Sequence, residues 1–262
     1  MKMCITPFHN SGILREAKIY MKMRKYWGRY TPHFYNLGKI GGFRYIVISE
    51  ININLKNYAE KLRKKPERQR RMLQLIIGLT EASRAMHEIG YVHRDIKPSN
   101  VLVNVRSNKI PRPLLCDFGL SRRILDNEGQ LLPPRKSGTI PFRGTYSYSS
   151  IHYLQQNEFR FSDDLVSIIY TISSVASIKI FPWYGKESVA ETIKLKFDFN
   201  VYDHIGEQLS LPVLTAVQVY YDYVNALDYF TKPRYSVLIS NLEQLLTDEN
   251  GGGGGGLGGE VS

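Results

Sequence analysis

The chain has 262 residues, of which 43% are hydrophobic and 23% are charged, and this balance excludes long-range disorder, a collagen-like repeat and an obligate fibre. Its length fits one large domain or two modest lobes around a hydrophobic core. The 35 lysines and arginines outnumber the 24 aspartates and glutamates, so the net charge of +11 predicts a surface that attracts anions such as phosphates, acidic peptides or nucleic acid.

The cysteine content and the apolar segments indicate the compartment. Cys4 and Cys116 are too few for a disulfide framework or a cysteine-rich zinc site, which favours a reducing, intracellular compartment. The longest uncharged stretch, Leu165 to Ile178, is shorter than the roughly 20 apolar residues that a membrane span needs. Residues 1–10 contain no apolar core with a cleavage site. We therefore expect neither a membrane span nor secretion.

The first fifty residues predict a small α+β unit. Lys2 to Ile5 is expected to form a short strand, and Ile13 to Arg24 carries apolar residues at helical spacing. Phe43 to Ile48 is rich in β-branched and aromatic residues and follows Gly41 and Gly42, a pattern typical of a strand after a turn.

A basic stretch and two long helices are predicted next. The cations of that stretch are Lys61, Arg63, Lys64, Lys65, Arg68, Arg70 and Arg71. They predict a solvated loop and the start of a helix, with a substrate or nucleic-acid patch as the alternative. Apolar residues from Met72 to Met86 recur on one face of a helix that ends at Gly90. From Leu165 onward the pattern is mainly helical, and the segment 165–178 is expected to be a helix buried on all sides.

The glycine-rich tail at 251–259 is expected to be a flexible linker or end. It contains GxGxxG, but this fingerprint cradles phosphate only between a strand and a helix, and here only Glu260-Val261-Ser262 follow. We assign it no nucleotide-binding role.

Two motifs carry the chemical information. YVHRDIKPSNVLV at 91–103 contains HRDxKxxN, and LLCDFGL at 114–120 contains DFG, with a short, basic, hairpin-like stretch between them. Either motif alone has a plain structural explanation, a surface ion pair or a turn, but their combination predicts phosphoryl transfer. We expect His93 and Arg94 to pack beneath the loop and anchor it, not to act as acid or base.

The other residue types in these motifs suit the same chemistry. Asp95 is expected to accept the proton of the attacking hydroxyl and to orient it towards the γ-phosphate. Asn100 and Asp117 supply oxygen ligands that hold Mg²⁺ against the phosphates. Lys97 is expected to neutralise charge on the transferred phosphoryl group.

On these motifs the chain resembles the eukaryotic protein kinases over almost its whole length, and more narrowly the casein kinase 1 group and its tau-tubulin kinase-like branch. The stretches that carry the narrower resemblance are HRDIKPSN, PPRKSGTIPFRGTYSYSS at 133–150, FSDDLVSIIY at 161–170 and LDYFTKPRYSVL at 227–238. That group lacks the APE element of other kinases, and Ser149-Ser150-Ile151 stands in its place here.

The resemblance implies a two-lobed α+β kinase fold with a truncated small β lobe and a mainly helical large lobe. It also implies ATP and Mg²⁺ as cofactors and protein substrates with Ser or Thr acceptors. The implied division is a partial small lobe at 1–50, a large lobe at 51–247 and the tail at 248–262. By position, Asp164 matches the acidic residue that caps the central helix and ties down the catalytic loop. Thr145 matches the residue that contacts the base and Lys97.

The resemblance also implies the nucleotide site. Glu16 matches the glutamate of the small-lobe helix, and Lys2 matches the lysine that pairs with it and contacts the α- and β-phosphates. The hinge that presents backbone groups to adenine falls at Ser49 to Asn52, with Ile51 in it and Ile48 as the gatekeeper.

The sequence departs from the kinase pattern in lacking the Gly-rich loop that covers the phosphates. Two explanations are open: the chain is incomplete at its N-terminus, or it is a degenerate kinase that binds nucleotide weakly. The principal hypothesis is therefore a serine/threonine kinase, and the alternative is a catalytically impaired pseudokinase or scaffold of the same fold. Nucleic-acid binding through the basic excess is a third hypothesis, which no zinc-finger spacing or RNA-recognition motif supports.

A second departure concerns substrate choice. Where the group has an arginine that helps to form an anion pocket beside the acceptor, this chain has Ser147, so we expect a weaker preference for acidic or phosphorylated substrates. Arg143, Arg135 and Lys136 are candidates to substitute for it. The resemblance implies a location in the cytoplasm, the nucleus or both.

Overall fold

The protein is described as a computed structural model that covers residues 2–6, 10–105, 110–177, 179–186 and 188–251, with side chains from residue 12 to residue 247 within those ranges. The strands are β1 (Lys2–Thr6), β2 (Phe34–Ile40), β3 (Phe43–Ile48), β4 (Tyr91–Val92), β5 (Val101–Asn104), β6 (Arg112–Leu115) and β7 (Arg122–Arg123). The α-helices are α1 (Asn10–Met23), α2 (Leu55–Leu62), α3 (Arg68–Glu88), α4 (Ile151–Leu154), α5 (Phe161–Ala176), α6 (Val189–Phe197), α7 (Val201–Ile205), α8 (Leu211–Ala226) and α9 (Tyr235–Gly251). Single 3-10 turns are formed by Arg24–Tyr26, Pro98–Asn100 and Tyr146–Tyr148.

A three-stranded antiparallel sheet in the order β1-β3-β2 builds the small lobe, and α1 packs against it. Strands β2 and β3 form a hairpin whose turn contains Gly41 and Gly42 at φ values of 51° and 85°. Because two-residue hairpin turns need positive φ at both positions, glycine suits this turn. The backbone of Lys2 lies opposite Ile48 in the register of β1 and β3.

The predicted elements of this lobe agree with the structure in type and differ in extent. The strand predicted at Lys2 to Ile5 is β1, the helix predicted at Ile13 to Arg24 is α1, and the strand predicted at Phe43 to Ile48 is β3. The prediction missed β2 because its sequence, FYNLGKI, mixes polar and apolar residues and its pattern of burial is irregular. The helix α2 was also missed, inside and just before the basic stretch.

The large lobe is built around α5, whose residues are buried along almost the whole helix, as predicted. Helices α3 and α8 pack against α5, and α9 packs against α3. The helix predicted from Met72 is α3, and the chain leaves it at Gly90 with a φ of 85°. A Cβ at Gly90 would lie 3.2 Å from the Cβ of Leu125, so both conformation and space favour glycine there.

The remaining predictions about the chain have mixed outcomes. In the basic stretch Lys61, Lys64 and Lys65 are exposed, as expected for a solvated segment, whereas Arg68 donates to the side chain of Gln208 and to the carbonyl of Ala176. The glycine tail beyond residue 251 lies outside the described residues, and α9 continues past the boundary placed at 247. None of the described helices is both long and apolar enough to cross a bilayer.

Candidate active site

The catalytic-loop motif lies between β4 and β5, and its functional side chains converge on Asp95. The Asn100 side-chain amide donates to the main-chain carbonyl of Asp95 at 2.9 Å and to Asp95 Oδ2 at 3.0 Å. Lys97 Nζ lies 2.8 Å from the same Oδ2. Asp95 is 8% exposed, so its carboxylate is held in one orientation by neighbours and not by solvent. The structure thus brings together the three residues predicted to be catalytic.

Thr145 completes this arrangement from a distant part of the chain. Its Oγ1 donates to Asp95 Oδ1 at 2.8 Å and accepts from Lys97 Nζ at 2.8 Å. The predicted contact of Thr145 with Asp95 and with Lys97 is therefore present.

Asp164 ties the loop down from the central helix. Its Oδ2 accepts from the backbone N–H of His93 at 2.7 Å, and its Oδ1 accepts from the backbone N–H of Arg94 at 3.0 Å. His87 Nε2 lies 2.9 Å from Asp164 Oδ2. These bonds stabilise Arg94 at a φ of 71°, a left-handed conformation that is unfavourable for a side chain with a Cβ.

The expectation that Asp164 also caps the helix was wrong. The neighbouring Asp163 does so: its Oδ2 accepts from the backbone N–H of Arg160, the residue that precedes α5. Asp163 also accepts from Ser150 Oγ at 2.7 Å. The two adjacent acids therefore have different tasks, because successive helical positions point in different directions.

Asp117 follows β6 and lies next to the catalytic loop. The backbone N–H of Cys116 donates to the main-chain carbonyl of Asn100 at 3.0 Å, which joins the two motifs one residue before Asp117. Asp117 has a φ of 65°, and its Oδ1 accepts from the N–H of Gly119 at 3.4 Å. A positive φ is unfavourable for a residue with a side chain, so the surrounding contacts must stabilise the backbone at this position.

The donor set at this position suits a hard divalent cation. Because the amide nitrogen of Asn100 donates to Asp95, its Oδ1, which also accepts from Ser99 Oγ at 3.4 Å, is the atom that can act as a metal ligand. Together with the carboxylate of Asp117 it offers oxygen donors, which Mg²⁺ prefers. The residues present therefore fit the predicted metal.

An aromatic column runs from the small lobe to the catalytic loop. The ring of Phe34 stacks on that of Tyr20 with 5.9 Å between the ring centroids. The rings of Tyr20 and Phe118 meet edge-on, with centroids 4.9 Å apart, and the centroid of Phe118 lies 5.3 Å from that of His93. His93 Nε2 also lies 3.2 Å from the carbonyl of Cys116. The structural role predicted for His93 agrees with this packing.

The other predicted nucleotide-site residues come from the small lobe and the hinge. Burial and the charge of Asp117 raise the pKa of Glu16 to about 7, although the backbone N–H of Phe118 donates to it. Glu16 therefore lies beside the DFG segment. The side chain of Lys2 is outside the described residues, so its predicted pairing with Glu16 stays a prediction. Ile51 lies in the segment between β3 and α2, where the hinge was predicted.

Sequence reasoning missed a buried carboxylate in the segment after DFG. Glu158, 5% exposed, accepts from Arg135 Nε at 2.7 Å and from Arg135 Nη2 at 3.1 Å, and it lies 3.3 Å from Arg122 Nε. Burial opposes its ionisation, but the bonds from Arg135 and the charge of Arg122 outweigh this and lower the pKa of Glu158. Glu158 lies outside a helix or strand, so no periodic pattern in the sequence distinguishes it from an acidic residue on the surface.

This pairing bears on the expected anion pocket. Arg135 was a candidate to replace the missing cation, but Glu158 already neutralises it. Ser147 is buried, whereas all three candidate cations are exposed. What sets Arg135 apart is its ion pair with Glu158, so Arg143 and Lys136 are the better candidates for contact with an acidic substrate.

The two-lobed architecture and the paired motifs together define a protein kinase domain. Comparison with known proteins gives the same class. The protein kinase domain family matches residues 7–229. The chain belongs to the protein kinase family, with an α+β fold whose larger lobe is mainly helical.

Individual relatives show which protein kinases the chain is similar to. The chain is 28% identical over 218 residues to a probable serine/threonine-protein kinase of Dictyostelium discoideum, covering 83% of this chain and 42% of that protein. It is 27% identical over 248 residues to a probable casein kinase I homolog of Encephalitozoon cuniculi, covering 90% and 72%. It is 24% identical over 234 residues to a serine/threonine-protein kinase of Caenorhabditis elegans, covering 83% and 57%. Relatives named casein kinase I agree with the group predicted from the motifs, and the chain spans about half the length of several curated relatives.

Proposed function

We propose that this chain is a protein serine/threonine kinase that transfers the γ-phosphate of ATP to Ser or Thr hydroxyls of protein substrates. The observation that carries this proposal is the set of hydrogen-bond and ion-pair partners around the Asp95 carboxylate, which leaves one acceptor position open. An ionised carboxylate has about four acceptor positions, and Thr145, Asn100 and Lys97 occupy three of them. One position is left for the hydroxyl of an acceptor.

The residues around Asp95 support its role as the base. Asp95 accepts the proton of the substrate hydroxyl as the new O–P bond forms and the bond to the leaving ADP oxygen breaks. Lys97, fixed between Asp95 and Thr145, places a positive charge beside the transferred group. Because these side chains are already held in position, little reorganisation is needed when the acceptor arrives.

The proposed cofactors are ATP and Mg²⁺. Asn100 Oδ1 and the Asp117 carboxylate would hold the cation, which when bound neutralises charge on the phosphates. Glu16 and, by resemblance, Lys2 and Ile51 are proposed to contribute to the nucleotide side of the site.

Serine and threonine are proposed as acceptors because Thr145 bridges Lys97 and Asp95 and because the relatives are named serine/threonine kinases. The same resemblance supports a location in the cytoplasm, the nucleus or both, which imaging of the tagged full-length protein would test.

Nucleotide binding is the first test. The unfolding temperature of the purified chain would be measured with ATP alone, with ATP and Mg²⁺, and with Ca²⁺ in place of Mg²⁺. A ligand at 100 times its Kd stabilises a protein by roughly 2.7 kcal/mol. We expect a Mg²⁺-dependent rise in the wild type that is lost in Asp117→Asn. A chain that shows no such rise is instead the impaired kinase or scaffold of the alternative hypothesis.

A further inference from the structure

Lys196, in the last turn of α6, is a lysine that is 1% exposed. Its Nζ donates to the main-chain carbonyls of Ser147 at 3.1 Å and of Ser149 at 2.6 Å. The same Nζ lies 4.1 Å from the ring centroid of Tyr170 and 5.1 Å from that of Trp183. The ammonium is therefore enclosed by two carbonyl oxygens and two aromatic faces.

This lysine has no carboxylate partner in the described part of the chain, and burial lowers its pKa well below the usual value. Burying a charge without an opposite charge opposes folding, even where carbonyls and aromatic rings compensate in part. With so little exposure, the ammonium also cannot face a bound substrate. If Lys196 fixes the backbone that it contacts, that role explains why a lysine is buried here and why its ammonium does not face a substrate.

The carbonyls that Lys196 binds belong to the segment that carries Thr145. The N–H of Tyr148 donates to the carbonyl of Thr145 at 3.0 Å, and Ser149 Oγ donates to the same carbonyl at 3.1 Å. A short hydrogen-bonded path therefore connects the ammonium, through Ser149, to Thr145. Thr145 in turn bonds to Asp95.

Trp183 binds the same part of this segment as Lys196 does. Its Nε1 donates to the carbonyl of Ser147 at 3.0 Å, so this oxygen accepts from both Trp183 and Lys196. Two donors on one carbonyl define its position more closely than one. The segment 145–149 is thus held by two buried side chains, whereas Tyr146 within it is exposed.

We propose that Lys196 is a positioning residue for the acceptor side of the active site: its ammonium fixes the segment Thr145–Ser149 and thereby holds Thr145 against Asp95 and Lys97. This inference rests on the proposed kinase function. Since Lys196 contacts neither Asn100 nor Asp117, we expect it to affect the use of the protein acceptor more than the binding of the nucleotide.

The test compares Lys196→Met with Lys194→Met, which removes an exposed lysine from the same helix. Steady-state kinetics would be measured with a peptide acceptor, together with the KM for ATP. We expect kcat/KM for the peptide to fall by up to about 10²-fold in Lys196→Met, because small displacements of positioning groups have effects of this size. The KM for ATP should not change, and Lys194→Met should match the wild type. Peptide kinetics in Lys196→Met equal to those of Lys194→Met would overturn the proposal.

Lys196→Gln keeps an N–H donor but removes the charge, and is expected to recover part of the lost peptide activity. If Lys196→Met does not fold, the comparison of Lys196→Gln with Lys194→Gln takes its place, with the same split between peptide and ATP expected. An equal loss towards peptide and ATP in Lys196→Gln would contradict a positioning role and indicate a structural one.

Hydrogen exchange at the amides of Tyr148 and Ser149 separates this proposal from the proposed function, because it needs no activity. Both amides are hydrogen-bonded within the segment, to Thr145 and Tyr146. We expect faster exchange there in the Lys196 variant than in its Lys194 control. If the wild type transfers no phosphate but exchange still rises, the kinase assignment fails and the positioning of the segment stands. Unchanged exchange refutes the positioning, whatever the activity.

Discussion

Thr145 Oγ1 and Asp95 Oδ1 are joined by a hydrogen bond of 2.8 Å across 50 residues of sequence, and Lys97 donates to the same hydroxyl. The hydroxyl therefore links Asp95, the proposed base, to Lys97, the proposed cation beside the transferred group. In the proposed mechanism, catalysis depends on that link as well as on Asp95 itself.

Replacing Thr145 by alanine is expected to reduce kcat/KM for a peptide by up to about 10²-fold, since Asp95 and Lys97 lose the group that orients both. Thr145→Ser keeps the hydroxyl and should retain most of the activity. Initial rates for the two variants check this, and equal rates would mean that the hydroxyl has no part in positioning the base.

Removing the carboxylate of Asp164 is expected to destabilise the fold. Asp164→Ala leaves the buried N–H groups of His93 and Arg94 without an acceptor, which should lower the free energy of unfolding by about 3 kcal/mol. Urea denaturation measures this. Ser162→Ala is the control, because Ser162 lies in the same helix and its buried hydroxyl has no partner among the described residues. A similar loss of stability in both variants would show that the two backbone bonds are unimportant.

Glu158 is expected to be a further stability determinant. Glu158→Ala leaves Arg122 and Arg135 close together without their shared carboxylate, but both arginines are about one third exposed and water can solvate them, so roughly 1–2 kcal/mol of unfolding free energy should be lost. Thermal and urea unfolding would be compared with Glu128→Ala, which removes an exposed acid from the same long segment. If both variants unfold alike, the ion pairs of Glu158 contribute little.

His204 is expected to make the protein sensitive to acid. Its ring stacks on Phe181 at 4.4 Å, its buried Nε2 has no hydrogen-bond partner in the described structure, and burial, with a smaller contribution from Lys179, lowers its pKa to about 4. The unfolded chain, with a histidine pKa of about 6.5, binds the proton more tightly. Stability is therefore complete above about pH 6.5 and falls as the pH decreases towards 4, by up to about 3 kcal/mol.

The variant His204→Phe tests this directly. Unfolding free energies would be measured between pH 4 and pH 7 for both proteins, and the acid-dependent decrease should be smaller in the variant by the contribution of His204. Parallel pH curves would contradict the assignment.

The sequence was most informative where a local pattern determines structure. The apolar periodicity of α3, the β-branched run of β3 and the uncharged segment of α5 each predict an element that the structure contains. The motif spacing likewise predicts that Asp95, Lys97 and Asn100 meet, because all three lie within one short loop.

The missed features depend on tertiary contacts. Strand β2 is stabilised by pairing with β3 and has a weak pattern of its own, whereas α2 had a usable signal in Asn54, whose side chain accepts from the N–H of Asn57 as an N-cap. Nothing local indicates that Lys196 is enclosed or that Glu158 is buried between arginines, since charged residues are exposed in most proteins.

Phosphate transfer by the full chain tests the central claim most directly. The wild type and Asp95→Asn would be incubated with ATP, Mg²⁺ and matched peptide mixtures that contain Ser, Thr or Tyr as the acceptor. We expect phosphorylation of Ser or Thr peptides, reduced by at least about 10²-fold in Asp95→Asn while the unfolding temperature is preserved. Transfer at the wild-type rate in Asp95→Asn, or no transfer by a wild type that binds Mg²⁺ and ATP, would contradict this expectation.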